Sequence, residues 1–117
     1  MTISDVTMQA LHASLRGLQL RREAAEDNLA NVETPGFHAR KVEFESALRE
    51  ALTDGESPWS AEPTIQRSLD PTRLNGNNVN VDQELVGLTE TALRHQLVVE
   101  ALNGKFRLLR TAIGGGR

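Results

Sequence analysis

The sequence predicts an elongated, all-α fold in which N- and C-terminal helices pair as a coiled-coil-like core. The middle of the chain is expected to loop out between them as an irregular, extended segment. Three observations carry this reading. Apolar residues recur at alternating spacings of three and four near both ends, which places them on one stripe of a helix. Aromatic residues are scarce, with three Phe, one Trp and no Tyr, so buried area must come from Leu, Val and Ala, which suit helices packed side by side. Three of the four prolines (Pro58, Pro63 and Pro71) and the run Asn75-Gly76-Asn77-Asn78 fall in the middle, where they disfavour regular elements. The 117 residues suffice for one domain, and the whole chain reads as one unit without internal repeats.

The first helix is expected over about 4–32. Met8, Leu11, Leu15, Leu18, Arg22, Ala25, Leu29 and Val32 form its stripe, Arg22 lying along it by its aliphatic stem. Ser4 or Asp5 suits the N-cap, since a short side-chain oxygen accepts from unpaired backbone N–H groups. Thr34-Pro35-Gly36 ends the helix, because proline disfavours helical geometry in the residue before it. A turn and an extended segment follow over about 33–42. A short helix is expected over about 43–53, where Phe44, Ala47, Leu48 and Ala51 share a face and Asp54-Gly55 stops it. The connection over about 54–79 should be irregular, with little core of its own.

The longest element is a helix over about 81–113. Its seam is Val81, Leu85, Leu88, Ala92, His95, Val99, Leu102, Phe106, Leu109 and Ile113, sustained for about nine turns. Asn80 or Asp82 can cap it. Asp82 and Glu84 at its start, and Lys105, Arg107 and Arg110 near its end, complement the helix dipole. Gly114-Gly115-Gly116 then opens a short tail over 114–117. Neither helix can bury its stripe alone, so the economical solution packs one against the other.

Charge and composition exclude several classes. A formal net charge of -3, spread along the chain, offers no global attraction to nucleic acid or to an anionic lipid surface. Without cysteine there are neither disulfides nor thiolate metal sites. No apolar run approaches the roughly 20 residues that span a bilayer. Residues Met1–Ala10 lack the basic start and apolar stretch of a cleavable signal, so the chain is expected to be cytoplasmic or exported by another route.

Candidate chemistry is sparse. His12, His38 and His95 lie in three separate segments without metal-ligand spacing. Glu23, Glu26 and Asp27 read as a solvated helix face, with no nucleophile nearby. No glycine pattern cradles a phosphate. Catalytic, metal and cofactor residues are therefore not expected. The basic clusters Arg16/Arg21/Arg22 and Lys105/Arg107/Arg110 lack interleaved aromatics and suggest ion pairs across subunits. A second apolar set on the long helix, Val86, Leu93, Leu97 and Leu108, lies off the main seam. A two-helix hairpin cannot cover both stripes, so this set is expected to meet another subunit. The amides of Asn28 and Asn31 are placed to bond backbone at the helix end and set the angle at which the chain leaves.

The stretch Asp27-Asn28-Leu29-Ala30-Asn31-Val32-Glu33-Thr34-Pro35-Gly36-Phe37 resembles the N-terminal signature of bacterial flagellar rod and hook proteins. The continuation His38-Ala39-Arg40-Lys41-Val42-Glu43-Phe44 is similar to the proximal-rod type of that family, as is Gly76-Asn77-Asn78-Val79-Asn80-Val81-Asp82-Gln83-Glu84 with the long helix through Leu102-Asn103-Gly104-Lys105-Phe106. Asp27 and His38 depart from the family's usual small or amide residue and Lys. The resemblance implies a helical assembly of paired terminal helices that carries torque from the membrane ring to the hook. The implied assembly signature is Asn28, Ala30, Asn31, Thr34, Pro35, Gly36 and Phe37. Implied partners are further copies, other flagellar rod proteins, the rod adaptor and membrane (MS) ring at the rod base, and the flagellar type III export apparatus. Implied location is the periplasmic rod of the basal body, reached without a cleaved signal. A small helical export chaperone or adaptor, or a generic coiled-coil scaffold, would also explain the two seams, but not the signature blocks.

Overall fold

The computed structural model describes residues 3–114, with side chains from Val6 onward. The expected caps Ser4 and Asp5 and the tail Gly115–Arg117 lie outside that description. The order of elements is α1 (Ile3–Ala30), β1 (Arg40–Glu43), α2 (Glu45–Thr53), a 3-10 turn at Pro58–Ser60, β2 (Thr64–Arg67) and α3 (Val81–Gly114). The molecule measures 68 × 27 × 14 Å.

Helices α1 and α3 pack antiparallel along the long axis. Asn28, near the end of α1, meets Glu84 at the start of α3, while Leu18 at mid-helix borders the same groove as Thr91, Ala92 and His95. At 1.5 Å per residue, α1 is about 42 Å long and α3 about 51 Å, so neither closes around the other. The buried positions between and beside them are mostly small or branched: Ala13, Leu18 and Ala25 on α1, Thr91 and Leu102 on α3. Gly17 on α1 has a specific role. A Cβ there would fall 2.4 Å from the Phe44 ring, so only glycine lets that ring lie against the helix. The Asn80 side chain caps α3 by accepting from the Gln83 N–H at 3.1 Å.

The mostly helical chain bears out the all-α expectation in the main, and the middle segment adds a small sheet to it. Residues 54–79 are not a coreless connection, and the chain is mostly helical with a small two-stranded sheet. Strands β1 and β2 pair antiparallel, with Arg40 opposite Arg67 and Glu43 opposite Thr64. Pro58, Ala61, Ser68, Asn77, Asn78 and Val79 are all buried. A four-residue strand is too short for alternation to stand out, and much of this small core is polar, so apolar periodicity could not reveal it. The short helix α2 begins two residues later than expected. Glu43 belongs to β1, and its carboxylate accepts from the Ser46 N–H (3.2 Å) and hydroxyl (3.0 Å). Gly55, with φ of 73°, closes the other end.

Candidate assembly site

The end of α1, the start of α3 and the loop before it form one junction, tied by asparagine side chains. Asn28 is 1% exposed. Its Nδ2 donates to the Arg40 carbonyl and to Glu84 Oε1, both at 3.0 Å, and its Oδ1 accepts from the Arg40 N–H at 3.0 Å. One amide thus joins α1, β1 and α3. Asn31 works locally: its Nδ2 donates to the Asp27 carbonyl (2.8 Å) and its Oδ1 accepts from the Thr34 hydroxyl (3.1 Å), which shapes the turn after the helix.

Two further amides reach back from the second block. Asn77, with no exposed surface, donates from Nδ2 to the Asn31 and Thr34 carbonyls, both at 2.8 Å. Its Oδ1 accepts from the Val79 N–H (2.8 Å) and the Arg73 guanidinium (2.9 Å). Asn78 accepts from the Ala39 N–H at 2.7 Å and donates to the Ser68 and Asp70 carbonyls. Arg73 donates also to the carbonyls of Val32, in the turn after α1, and Val79, in the loop before α3, both at 2.7 Å. Gly36 and Gly76 both have positive φ, 75° and 82°, and lie back to back; a Cβ on Gly76 would be 3.3 Å from the Gly36 Cα. The Gly36 N–H donates to the Asn75 carbonyl at 2.8 Å.

A second cluster fixes the start of α2 on α1. The Arg21 guanidinium lies 4.8 Å from the Phe44 ring centroid, donates to the Val42 carbonyl and forms a two-point pair with Glu45. Arg94 of α3 reaches the same carboxylate at 2.8 Å. The Arg21 hydrogen bond holds the Glu45 carboxyl below its usual range, against the opposing effect of burial. Glu84 moves the other way: burial raises it, with the Asn28 hydrogen bond and Lys41 offsetting part of that. Farther toward the start of α1, Arg16 lies over the Trp59 ring at 5.6 Å and His12 stacks on the same ring. Arg16 and Arg21 are therefore engaged within the chain, Arg21 in an internal ion pair with Glu45.

Over 132 aligned positions spanning the whole of both chains, the protein is 32% identical to the flagellar basal body rod protein FlgB of Bacillus subtilis. The chain belongs to the FlgB family. It is also 27% identical to FlgB of Escherichia coli over 96% of each chain, and 28% identical to FlgB of Borrelia hermsii over 97% of this chain and 99% of the relative. No family model matches the chain.

The FlgB matches span the signature, the second block and both terminal helices. Within the signature, Asn28 is buried, Asn31 and Phe37 are half-buried, and Ala30, Thr34, Pro35 and Gly36 are exposed. Of the seam residues, Leu18 and Leu102 are buried and Leu11, Leu15, Leu29, Leu88 and Val99 half-buried. Leu85, Phe106 and Leu109 stay exposed in the single chain. The covered line on α3 runs instead through Glu84, Leu88, Thr91, Val98 and Leu102. One neighbouring helix covers only part of α3's apolar circumference, and Val86, Leu93, Leu97 and Leu108 are all exposed. Sequence reasoning assigned no role to Gly17 or Arg73, and gave Asn77 and Asn78 only a place in the loop and the second block. A pair of asparagines directly after the Asn75-Gly76 turn is the one signal that could have pointed to the last two. Among the described residues no three His, Asp or Glu side chains gather as a metal site, and no helix is long and apolar enough to cross a membrane.

Proposed function

We propose that the chain is a structural subunit of the proximal rod in the flagellar basal body, and not an enzyme. The whole-length identity to FlgB carries this reading. The subunit polymerises helically through its terminal helices, together with other rod proteins, into the shaft that carries torque from the membrane ring to the hook. Pairing of α1 with α3 is read as coiled-coil-like, supported by the three-four spacing of both stripes and by their antiparallel packing. The Asn28, Asn31, Thr34–Phe37 signature sets the direction in which the chain leaves the helix. Val86, Leu93, Leu97 and Leu108, with the exposed seam residues, form the lateral contacts to neighbouring subunits. The rod adaptor and MS ring at the base, and the flagellar type III export apparatus, are the further partners of this reading.

Deleting the chain from its host and imaging the cell envelope tests the assignment. Membrane rings without a rod, and swimming restored when the chain is supplied again, are the expected result. Normal rods in the deletion strain would instead leave a helical export chaperone or scaffold as the reading.

A further inference from the structure

Two asparagine–glycine pairs occur in the chain, Asn75-Gly76 and Asn103-Gly104. Such a pair carries chemistry of its own, and asparagine is among the thermolabile residues. The glycine nitrogen, with no Cβ beside it, can attack the asparagine Cγ and close a cyclic imide. The N–H proton passes to water, a C–N bond forms, the Cγ–Nδ2 bond breaks and ammonia leaves. Water then opens the imide at either carbonyl. One opening gives aspartate; the other gives isoaspartate, whose main chain runs through the former side chain.

The structure restrains the two pairs by different means. Gly104 lies inside α3, where N–H groups bond to carbonyls four residues back and side chains lean toward the N-terminus, away from the attacking nitrogen. Asn75-Gly76 is held instead by the junction. The Gly76 N–H donates to the Arg73 carbonyl at 2.9 Å, and the Arg73 N–H to the Asn77 carbonyl at 2.8 Å. Neither Leu74 nor Asn75 has a positive φ, so this hydrogen-bonded turn is of type I, which rotates the Gly76 nitrogen away from the Asn75 Cβ. Asn75 Oδ1 accepts from the Asn77 N–H at 3.1 Å, which fixes the side chain. Nucleophile, backbone angle and electrophile are thus each restrained by the closed loop. The Asn75 side chain itself is exposed, so water reaches it freely.

We infer that Asn75 is a self-modification site gated by the junction, silent while the loop over 73–77 is closed and converted to isoaspartate when it opens. The product cannot rebuild the junction. Isoaspartate adds a methylene to the main chain where there is no slack, since a Cβ alone on Gly76 would stand 3.3 Å from the Gly36 Cα. It also turns the Asn75 carbonyl, which accepts from the Gly36 N–H, into a free carboxylate, and takes the side-chain acceptor from the Asn77 N–H. Conversion therefore marks a chain that has spent time open. This chemistry belongs to the chain itself and does not depend on the rod reading.

Incubating the full purified chain in mildly alkaline buffer, with and without guanidinium chloride, tests the gate. Mass spectrometry of tryptic peptides follows the amide-to-acid mass gain at positions 75 and 103 separately, and electron-transfer fragmentation identifies the isoaspartyl linkage. In denaturant both positions should convert at similar rates. In native buffer position 75 should slow by about tenfold or more, because reaction waits on opening. Arg73→Ala removes three side-chain bonds of the junction but neither backbone bond of the loop, and should speed position 75 relative to position 103 in native buffer. The isoaspartyl chain, separated by ion exchange, should unfold at lower urea than Asn75→Asp, which carries the charge without the added length. Equal rates at position 75 with and without denaturant would overturn the gate. So would Arg73→Ala with both positions accelerated equally, or with neither accelerated. An isoaspartyl chain as stable as Asn75→Asp would overturn the loss of the junction.

Discussion

The junction end and the helical shaft of this molecule are built on opposite terms. At the junction, buried amides meet their donors and acceptors: Asn28 and Asn77 together make seven side-chain hydrogen bonds, all within the chain. Along α3, the contacts are apolar and half made, with leucines left open on more than one side. A satisfied polar network specifies one geometry because any other leaves buried groups unpaired. An uncovered apolar stripe specifies little by itself and waits for whatever covers it. The junction sets a fixed angle within the chain, and the shaft leaves apolar surface open.

The contrast can be broken most directly at the junction. Asn77→Ala should cost about 4 kcal/mol, since several buried partners lose their bonds at once, and urea unfolding of the purified chain followed by circular dichroism measures it. Leu102→Asp should cost about 3 kcal/mol by the same measurement and also stop rod assembly, because it puts a charge where α3 is already covered. Cells that swim normally with this variant would show that the helix pairing is misread. Arg21→Ala should cost about 2 kcal/mol by removing its bonds to Glu45 and Val42. Leu97→Asp sharpens the comparison from the other side: stability should change by less than about 0.5 kcal/mol, yet swimming should fail. A large loss of stability there would mean that the exposed face already serves the monomer.

The smallest effect concerns pH. Burial raises the Glu84 carboxyl above its ordinary 4.5, so its contribution is present below that value and lost as pH rises through the raised value. Glu84→Gln keeps an acceptor for Asn28 and removes the charge, so its stability relative to the parent should improve on going from pH 4 to pH 7. Glu45 has the opposite sign, since its lowered carboxyl stabilises above 4.5 and loses that contribution as pH falls. Arg21→Ala should therefore flatten the acid limb of the stability profile.

Both long helices, the break at Thr34-Pro35, the Asn80 cap and the short helix were legible, because periodicity, proline and capping act within a few residues of one another. Strand β2 and the roles of Asn77 and Asn78 were not. Asn77 bonds to carbonyls 43 and 46 positions earlier, and such pairing leaves no local trace. Gly17 left no local trace either, since its reason is a ring 27 positions later in the chain. On α3 the apolar residues spread around the helix, so spacing alone could not say which line α1 covers.

The Phe44 ring against Gly17 has a mechanical consequence. A helix held only by greasy, shallow contacts can roll about its own axis when twisted. Here a flat ring sits in the notch of a missing side chain, in the manner of a key in a keyway, and rolling α1 would drive neighbouring side chains into the ring. Twist applied to the subunit is then resisted by shape, and the angle between α1 and the rest of the chain holds under load.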